Sequence, residues 1–574
     1  MERVLFAPRA LPPLRLDVAA APESYSDWVQ ERELGRRSAI GSPAPVRVLQ
    51  LIMILADEPP QETIRTLNGL QQQDSDHWSL TIVGSSLWAT SLTALLAVSG
   101  VGHANRRIRV ELADDTSTPD SMFRHGLAAT AGSDIALIFP GDVWADDTVS
   151  LLAAFLTPDG IVYADEDCLT DVGHHFDPRL KPAFSPELLL HCPYIGRPMA
   201  IGESVARCLV PTPGLGPVAF EHDIALRASE AADRVEHIPE VLCHRLIGPE
   251  LPNDDTRHIA DALQRRGIAA TAAPGSREGT FQIRREPSDQ LIASVIIPFR
   301  DEPRLLRACI ESIDATRGST PLEYLLIDNG SLQPETATLM ERLGDRDDVR
   351  ILRDERPFNW AQLNNAAAGV ASGDILIFLN NDIEARTGGW VDTLCTQAQQ
   401  SDVGAVGARL LYPDNRLQHC GVVVGLGGAA GHLFVGLEYD RSGYLNMATT
   451  TRECAAVTGA CLATRRQVFT DLNGFDESLG IDLNDIDYCM RVQVAGLRVV
   501  YEAAAELTHY ESPSRGTAGD VRDILHFIDR WRSSIMAGDP YLNAHLTRAD
   551  SSCALRSTDE ADRWNQWVAD LTRA

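Results

Sequence analysis

The sequence contains no CxxC pair, is short of basic residues, and has no apolar run long enough to cross a bilayer. Each absence removes a class of function. The eleven cysteines stand singly at 168, 192, 208, 243, 309, 395, 420, 454, 461, 489 and 553, so a zinc site is not expected. Several lie within apolar runs and are expected as buried thiols, and an odd number without a framework suits a reducing cytoplasm. Lys and Arg number 51 against 80 Asp and Glu, a formal charge of −29. Such a surface does not grip the phosphate backbone of nucleic acid, nor dock on an anionic membrane by charge alone. The opening "MERVLFAPRALPPLRLD" has no continuous apolar core, so no signal peptide is expected. What remains is ordinary for a globular protein: 574 residues, 44% apolar and 23% charged, enough for two or three domains.

The most informative stretch is "ILIFLNNDIEA", Ile375 to Ala385. Five apolar residues run into a polar cluster that ends in Asp382. The run reads as a buried strand at the centre of a parallel sheet, and open α/β sheets bind ligands at the carboxyl ends of such strands. Upstream, "EYLLIDNGS" repeats the pattern with Asp328. Downstream, "LNDIDYCMR" supplies Asp485 and Asp487, and "LTHYES" supplies His509. Strand-end acids, an acidic helix start and a late histidine are the parts of a nucleotide-plus-metal site with a base beside it.

The chain also repeats itself. "LIMILADEPPQETIRTL" parallels "VIIPFRDEPRLLRACI", placing Asp57 opposite Asp301, and "LTIVGSS" parallels "LLIDNGS", placing Gly84 opposite Asp328. "SDIALIFPGD" parallels "GDILIFLNND", and "HDIALR" parallels "IDYCMR", with His244 and His509 following. Repeats this long mean a duplicated domain, not a solenoid. The counterpart of Asp382 is Asp142 if the apolar runs are aligned and Gly141 if the preceding glycines are. Glu221 and His244 persist in the first copy, but its nucleobase acid is gone, so the first copy is expected to keep the fold without the donor site. The alternative is a first-copy site built from other residues.

These patterns divide the chain into a lead-in (1–45) with an amphipathic piece around Tyr25 and Trp28, a first α/β domain (46–250), and a connector (251–290). The connector is expected as a helix capped near Asp254 or Asp255 and a Gly/Pro/Ser-rich link. A second α/β domain (291–515) and a helical tail (516–574) follow, the tail marked by "ILHFIDRWRSSI".

The second domain resembles the bacterial family 2 glycosyltransferases of GT-A fold. The resemblance is to the two-domain, rhamnosyltransferase-like enzymes of O-antigen and related polysaccharide assembly. It rests on "SVIIPFRDEPRLLRACIESI", "IDNGS", "PFNWAQLNNAAAGVASGDILIFLNNDIEA", "ARLLYPDNRLQHCGVVVGLGGAAGH", "AVTGACLATRRQVFTDLNGFDESL", "NDIDYCMRVQVAGLRVVYEAAAELTHYESPSRG" and "DPYLN", in the family's order. The first domain is similar to the family's degenerate N-terminal copy through "YADEDCLTD", "FDPRLKPAFSPELLL" and "YIG". The resemblance implies tandem GT-A (nucleotide-diphospho-sugar transferase, Rossmann-like) domains with a helical C-terminal tail. It implies a divalent cation, Mg²⁺ or Mn²⁺, held by Asp382 and His509, since such ions need only one or two carboxylates plus substrate phosphates. The family's Asp-x-Asp here reads Asn380-Asn381-Asp382. Donor contacts would come from Pro298, Arg300 and Asp301 in the loop after the first strand, and from Asp328 on the nucleobase, Asn365 and Asn381. Asn365 reads equally well as a helix-surface amide. Asp485 matches the family's base, and Asp487 reads as a helix cap. A lone base implies inversion.

Two other motifs are weighed against this. Gly425-x-Gly427-x-x-Ala430 resembles a dinucleotide fingerprint, but no amphipathic helix follows it, and the family reads it as an acceptor-side loop. Asp165 and Asp167 lack a nucleobase acid beside them and read as structural or acceptor-facing. Three functions stay open: an inverting, cytoplasmic glycosyltransferase extending a lipid-linked polysaccharide; a transferase with both copies active; and a catalytically dead glycan-binding scaffold. The partners implied are a nucleotide-sugar donor and a glycan or lipid-linked glycan acceptor, without nucleic acid. A peripheral encounter with the inner face of the membrane follows only from a lipid-linked acceptor. Donor sugar, linkage and oligomeric state are not written in motif spelling.

Overall fold

The computed structural model describes residues 22–39, 47–55, 61–98, 107–114, 117–130, 132–246, 254–287, 291–511 and 520–556. The first-copy loop that holds Asp57 lies outside them. The chain forms two compact units. Among the described residues, one unit comprises 22–184 and 192–283, and the other 185–191 and 284–556.

In the second unit the sheet runs Val349–Arg353, Leu322–Asp328, Ala293–Phe299, Ile375–Leu379, Cys461–Arg465, Val403–Leu411, Arg498–His509, Ile383–Ala385. The first four strands are parallel. Ala293–Phe299 and Ile375–Leu379 are buried along their whole length, which is why Val295–Phe299 and Ile375–Leu379 read as unbroken apolar runs. Helices Pro303–Thr316 and Pro334–Gly344 make the crossovers, each opening on a proline at its first turn. Chain order turns back between Ala293–Phe299 and Ile375–Leu379. The carboxyl ends of these two strands therefore form the switch-point crevice where such sheets take ligands.

Helix Trp360–Ala368 is capped by the Asn359 side chain, which accepts from the Gln362 amide at 2.9 Å. It carries Trp360 into an aromatic cluster with Phe378, Phe469, Phe475 and Tyr488. This cluster is the floor beneath the segment 458–460.

The first unit repeats the sheet strand for strand: Ile108–Ala113, Trp78–Ser85, Leu49–Leu55, Asp134–Leu137, Met199–Ile201, Gly160–Leu169, Arg234–Arg245, Asp142–Trp144. Registers match as well. Leu55 pairs with Gly84 as Phe299 pairs with Asp328. Val143 pairs with His244 as Ile383 pairs with His509, which sets Asp142 opposite Asp382, whereas Leu49 pairs with Asp134 as Ala293 pairs with Ile375, which by count sets Gly141 there; the first copy holds one extra residue between the two strands, and each alignment holds on its own side of it.

Three local expectations change, and the rejection of a dinucleotide fingerprint stands. Residues 270–285 form a hairpin, Ala270–Pro274 with Phe281–Arg285, closed by the Gly275 amide on the Thr280 carbonyl at 2.7 Å; turn-forming residues there make a turn, not a slack link. The connector helix starts after Thr256, and Asp255 accepts from the Arg257 amide at 3.0 Å. The tail helix Val521–Ala537 stops at Gly538, whose φ of 92° breaks it, and 538–556 is irregular. The glycine-rich segment is a hairpin, Val422–Val424 with Ala430–His432; Gly425, Gly427 and Gly428 all have positive φ, so it is not a phosphate-binding strand-to-helix turn. Among the described residues all eleven cysteines are free thiols, and all but Cys208 are buried.

Candidate active site

Asp382 follows the central strand Ile375–Leu379, and His509 ends the long strand Arg498–His509. Their pairing through Ile383–Ala385 brings His509 Nε2 to 3.2 Å from Asp382 Oδ1. Gln418 Oε1 lies 2.7 Å from His509 Nδ1 and accepts its hydrogen. The Asn380 amide donates toward Nε2 at 3.3 Å. Both contacts keep the hydrogen on Nδ1 and the lone pair on Nε2, beside the carboxylate. An oriented imidazole nitrogen and a carboxylate oxygen, with the histidine fixed by an outer amide, fit a divalent cation that completes its shell with phosphate and water.

Asp485 lies in the first turn of helix Asn484–Val494, just after Leu483, which is held in the left-handed region at φ 63°. A leucine there is strained, as residues at functional sites often are. Asp485 Oδ2 accepts from the Gly459 amide at 2.6 Å. The next residue, Ala460, accepts the Asn380 amide at 3.1 Å through its carbonyl. Asp485 is thus tied by two adjacent residues to the segment that carries Asp382. Asp487 does not cap the helix. It is fully buried, bound by Arg491 Nε at 2.8 Å and Trp531 Nε1 at 2.9 Å, and it fastens the tail helix.

Asp328 is buried at the end of its strand, accepting from the Ser331 amide at 2.8 Å and pairing with Arg353. It stands two strands from Ile375–Leu379, about 10 Å at normal strand spacing. Asp301 Oδ1 accepts the Leu332 and Gln333 amides at 2.9 and 2.8 Å, and so braces the loop after Asp328. Asp301 and Glu302 both have positive φ, 55° and 51°, a strained pair at the mouth of the crevice. Arg300 is exposed in the same loop. Pro298 belongs to the strand, not the loop: it pairs with Ile327 and is buried. Asn365 is a clamp: its amide accepts from the Phe475 amide and donates to the Phe475 carbonyl, both at 2.9 Å. Asn380, not Asn381, faces His509. Sequence reasoning also missed Gln418, Arg353 and the Gly459 amide, which no motif spacing marks.

Gln418 serves twice. Its carbonyl lies 3.1 Å from His432 Nδ1, and His432 Nδ1 is 3.2 Å from His419 Nδ1. Burial holds the His432 imidazole below its ordinary range, with Asp485 and the Gln418 carbonyl pulling the other way.

The first unit lacks this arrangement. Arg197 occupies the corresponding space: it donates to Asp142 Oδ1 at 2.9 Å and to Glu221 Oε2 at 2.8 Å, and lies 3.7 Å over the Phe139 ring. The equivalent residue before the strand Cys461–Arg465 is Ala460, which leaves that space open. Burial raises the Asp142 carboxyl although Arg197 and Arg245 oppose it. His244 has turned to Asp167, Nδ1 to Oδ1 at 2.6 Å. Asp165 accepts from the Lys181 amide and from His237 Nε2, both at 2.8 Å. Among the described residues the one group of three side chains able to close on a metal is Asp167, His175 and His244, in this unit and not at Asp382.

Residues 294–472 match the model of the family "Glycosyl transferase family 2". The chain is 33% identical over 591 residues to the O-antigen biosynthesis protein RfbC of Myxococcus xanthus, covering 97% of this chain and 45% of that protein. It is 26% identical over 264 residues to the N-acetylglucosaminyl-diphospho-decaprenol L-rhamnosyltransferase of Mycobacterium tuberculosis, covering 39% of this chain and 83% of that one. The chain spans about half the length of the curated relatives that it matches along most of its own length. A structure of GalNAc-T7 with UDP, GalNAc and Mn²⁺ is 17% identical over 44% of this chain and 50% of that one, with a TM-score of 0.35, too low to superpose the sites. Residues 294–472 of the second unit are thus a glycosyl transferase family 2 domain, set in one of two α/β units that share a sheet topology.

Proposed function

We propose that the second unit transfers a sugar, with inversion, from a nucleoside-diphosphate sugar to a hydroxyl of a growing, lipid-linked surface polysaccharide. The observation that carries this reading is the His509–Asp382 pair at the switch point, with His509 Nε2 oriented by Gln418 and Asn380. Mg²⁺ or Mn²⁺ held there supplies neutralisation of the leaving diphosphate. Asp328 and Arg353, at the far end of the crevice, hold the nucleobase. Asp485 takes the proton of the acceptor hydroxyl as the new bond forms at the anomeric carbon. The bond to the phosphate oxygen breaks in the same step, and the diphosphate leaves with the electron pair. Proton transfer to a positioned carboxylate contributes roughly 10²–10⁴ in rate. One base and no second nucleophilic carboxylate give inversion.

The polysaccharide acceptor is proposed from the names of the relatives alone. Among the described residues no helix is long and apolar enough to cross a membrane. A peripheral meeting with a lipid-linked acceptor on the cytoplasmic face is part of this proposal. Arg197 speaks against two live copies, because it pairs with both carboxylates that a cation and an acceptor would need.

A panel of nucleoside-diphosphate sugars with Mn²⁺ or Mg²⁺ tests the reading. One donor class is expected to raise the melting temperature, worth about 2.7 kcal/mol at a hundredfold excess over Kd, and to release nucleoside diphosphate once acceptor is added. Glycan binding with no release from any donor would overturn transfer in favour of a scaffold.

A further inference from the structure

The first unit carries a cluster that sugar transfer does not use. Three elements deliver it: Asp167 on strand Gly160–Leu169, His175 opening strand His175–Arg179, and His244 near the end of strand Arg234–Arg245. Leu169 pairs with His175 and Asp167 with His244, so the sheet itself sets the three side chains together. His244 Nδ1 is 2.6 Å from Asp167 Oδ1, and His175 Nδ1 is 3.0 Å from Oδ2. The two rings stand edge to face, 4.6 Å apart. One ligand atom from each residue lies within 4.8 Å of the others, and all three residues are buried.

We propose that Asp167, His175 and His244 hold a zinc-class divalent cation that fastens the helix Pro22–Ala39 to the first unit's sheet. Its outer partners come from that helix. Glu33 Oε1 lies 3.1 Å from His244 Nε2, and the Tyr25 hydroxyl donates to Asp167 Oδ2 at 3.0 Å. The Ser26 hydroxyl accepts from the His175 amide at 3.1 Å. A carboxylate taking the far hydrogen of a ligating histidine is the usual outer arrangement of a metal site. With an ion in place, His244 would give its Nε2 hydrogen to Glu33 and turn Nδ1 to the cation beside the Asp167 oxygens; without it, the 2.6 Å contact is a hydrogen bond from an imidazole that Asp167 and Glu33 hold well above its ordinary range.

Asp167 is a buried carboxylate, and a buried charge needs a partner, a role that a divalent cation held with the two imidazoles would fill. Two imidazoles and one carboxylate form a nitrogen-rich set that suits zinc, at bond lengths of about 2.0–2.2 Å, better than magnesium. The site stands apart from the transfer chemistry. His244 is the counterpart of His509, and in this copy it has been drawn from the sheet's ligand edge into a fastening between helix and sheet.

The test uses the full chain carrying Asp382→Asn, which removes the carboxylate of the proposed catalytic cation site. The protein is exposed to excess zinc chloride, desalted, and its metal measured by mass spectrometry. About one zinc per chain is expected, and adding His175→Gln is expected to reduce it at least tenfold. Cobalt in place of zinc should give visible absorption bands that depend on His175. No retained zinc in the Asp382→Asn chain would overturn the proposal, leaving a protonated histidine between two carboxylates. Equal zinc with and without His175→Gln would overturn it too. Should the His175 variant fail to fold, the Asp382→Asn chain decides alone: a melting midpoint unchanged between zinc and chelator refutes a fastening ion.

Discussion

Adding one methyl group at Gly459 is expected to disable transfer while leaving the domain folded. A Cβ at this position would lie 2.7 and 2.9 Å from Cη2 and Cζ2 of Trp360, and 3.4 Å from the Cβ of Asp485. Trp360 cannot yield: it is 4% exposed and its ring packs 4.9 Å from Phe475. The segment 458–460 must retreat instead, by about 0.7 Å, to reach an ordinary carbon–carbon contact. That retreat stretches the 2.6 Å bond from the Gly459 amide to Asp485, which orients the proposed base. A hydrogen bond to a charged group is worth about 1.5–3 kcal/mol, so kcat should fall roughly 10–150-fold. Overpacking of this size destabilises by about 1–3 kcal/mol, which a domain of this size survives. The assay is steady-state release of nucleoside diphosphate with donor and acceptor varied separately. The expected pattern is a lower kcat with little change in donor KM. A folded Gly459→Ala chain with kcat within about threefold of the parent would refute the role given to this bond.

Gln418→Leu removes the acceptor that fixes the His509 tautomer, and should raise the Mn²⁺ concentration for half-maximal activity about 10–100-fold, with activity restored at high Mn²⁺. Unchanged metal dependence would deny Gln418 that role. Arg197→Ala strands the Asp142 carboxylate, which is 1% exposed. The expected loss is about 3–5 kcal/mol, a melting decrease of roughly 6–20 °C in the first unit; a shift below about 1 °C would contradict the ion-pair account. His258 is fully buried, and burial depresses its imidazole to about 4. Its folded value lies below the unfolded one, so the unfolded state binds the extra proton between them. Stability should therefore fall as pH drops from about 6.5 towards 4, by roughly 3 kcal/mol at the lower end, and His258→Phe should flatten that part of the profile.

Much of this was legible in the sequence because the central strands are buried on both faces. Runs such as Ile375–Leu379 cannot disguise themselves, and the acid that ends each run marks the ligand edge. The duplication was legible for the same reason; the choice between Asp142 and Gly141 was not, because the first copy holds one extra residue between the two strands whose registers fix them. The partners of the acids were not legible. Gln418, Asn380, Arg353 and the Gly459 amide reach the site through strand pairing and loop closure, which no local spacing records. Pro298 lies inside the strand and not in the loop after it, although proline is uncommon in a central strand. Here pairing with Ile375–Leu379 ends at Ile296, so Pro298 lies on a stretch bonded on one side only. Asp487 shares its helix turn with Asp485, yet packing against Arg491 and Trp531 gave it a structural task that its position alone could not reveal. Arg197 carries no motif at all. Its meaning appears only when Asp142 and Glu221 are seen to close on it.

The most direct measurement compares nucleoside diphosphate release by Asp485→Asn and Glu221→Gln chains at saturating donor, acceptor and Mn²⁺. Loss of roughly 10²–10⁴ in kcat from Asp485→Asn, with Glu221→Gln within about threefold of the parent, is the predicted result. Comparable losses from both substitutions, or an Asp485→Asn chain that turns over normally, would contradict a single base in the second copy.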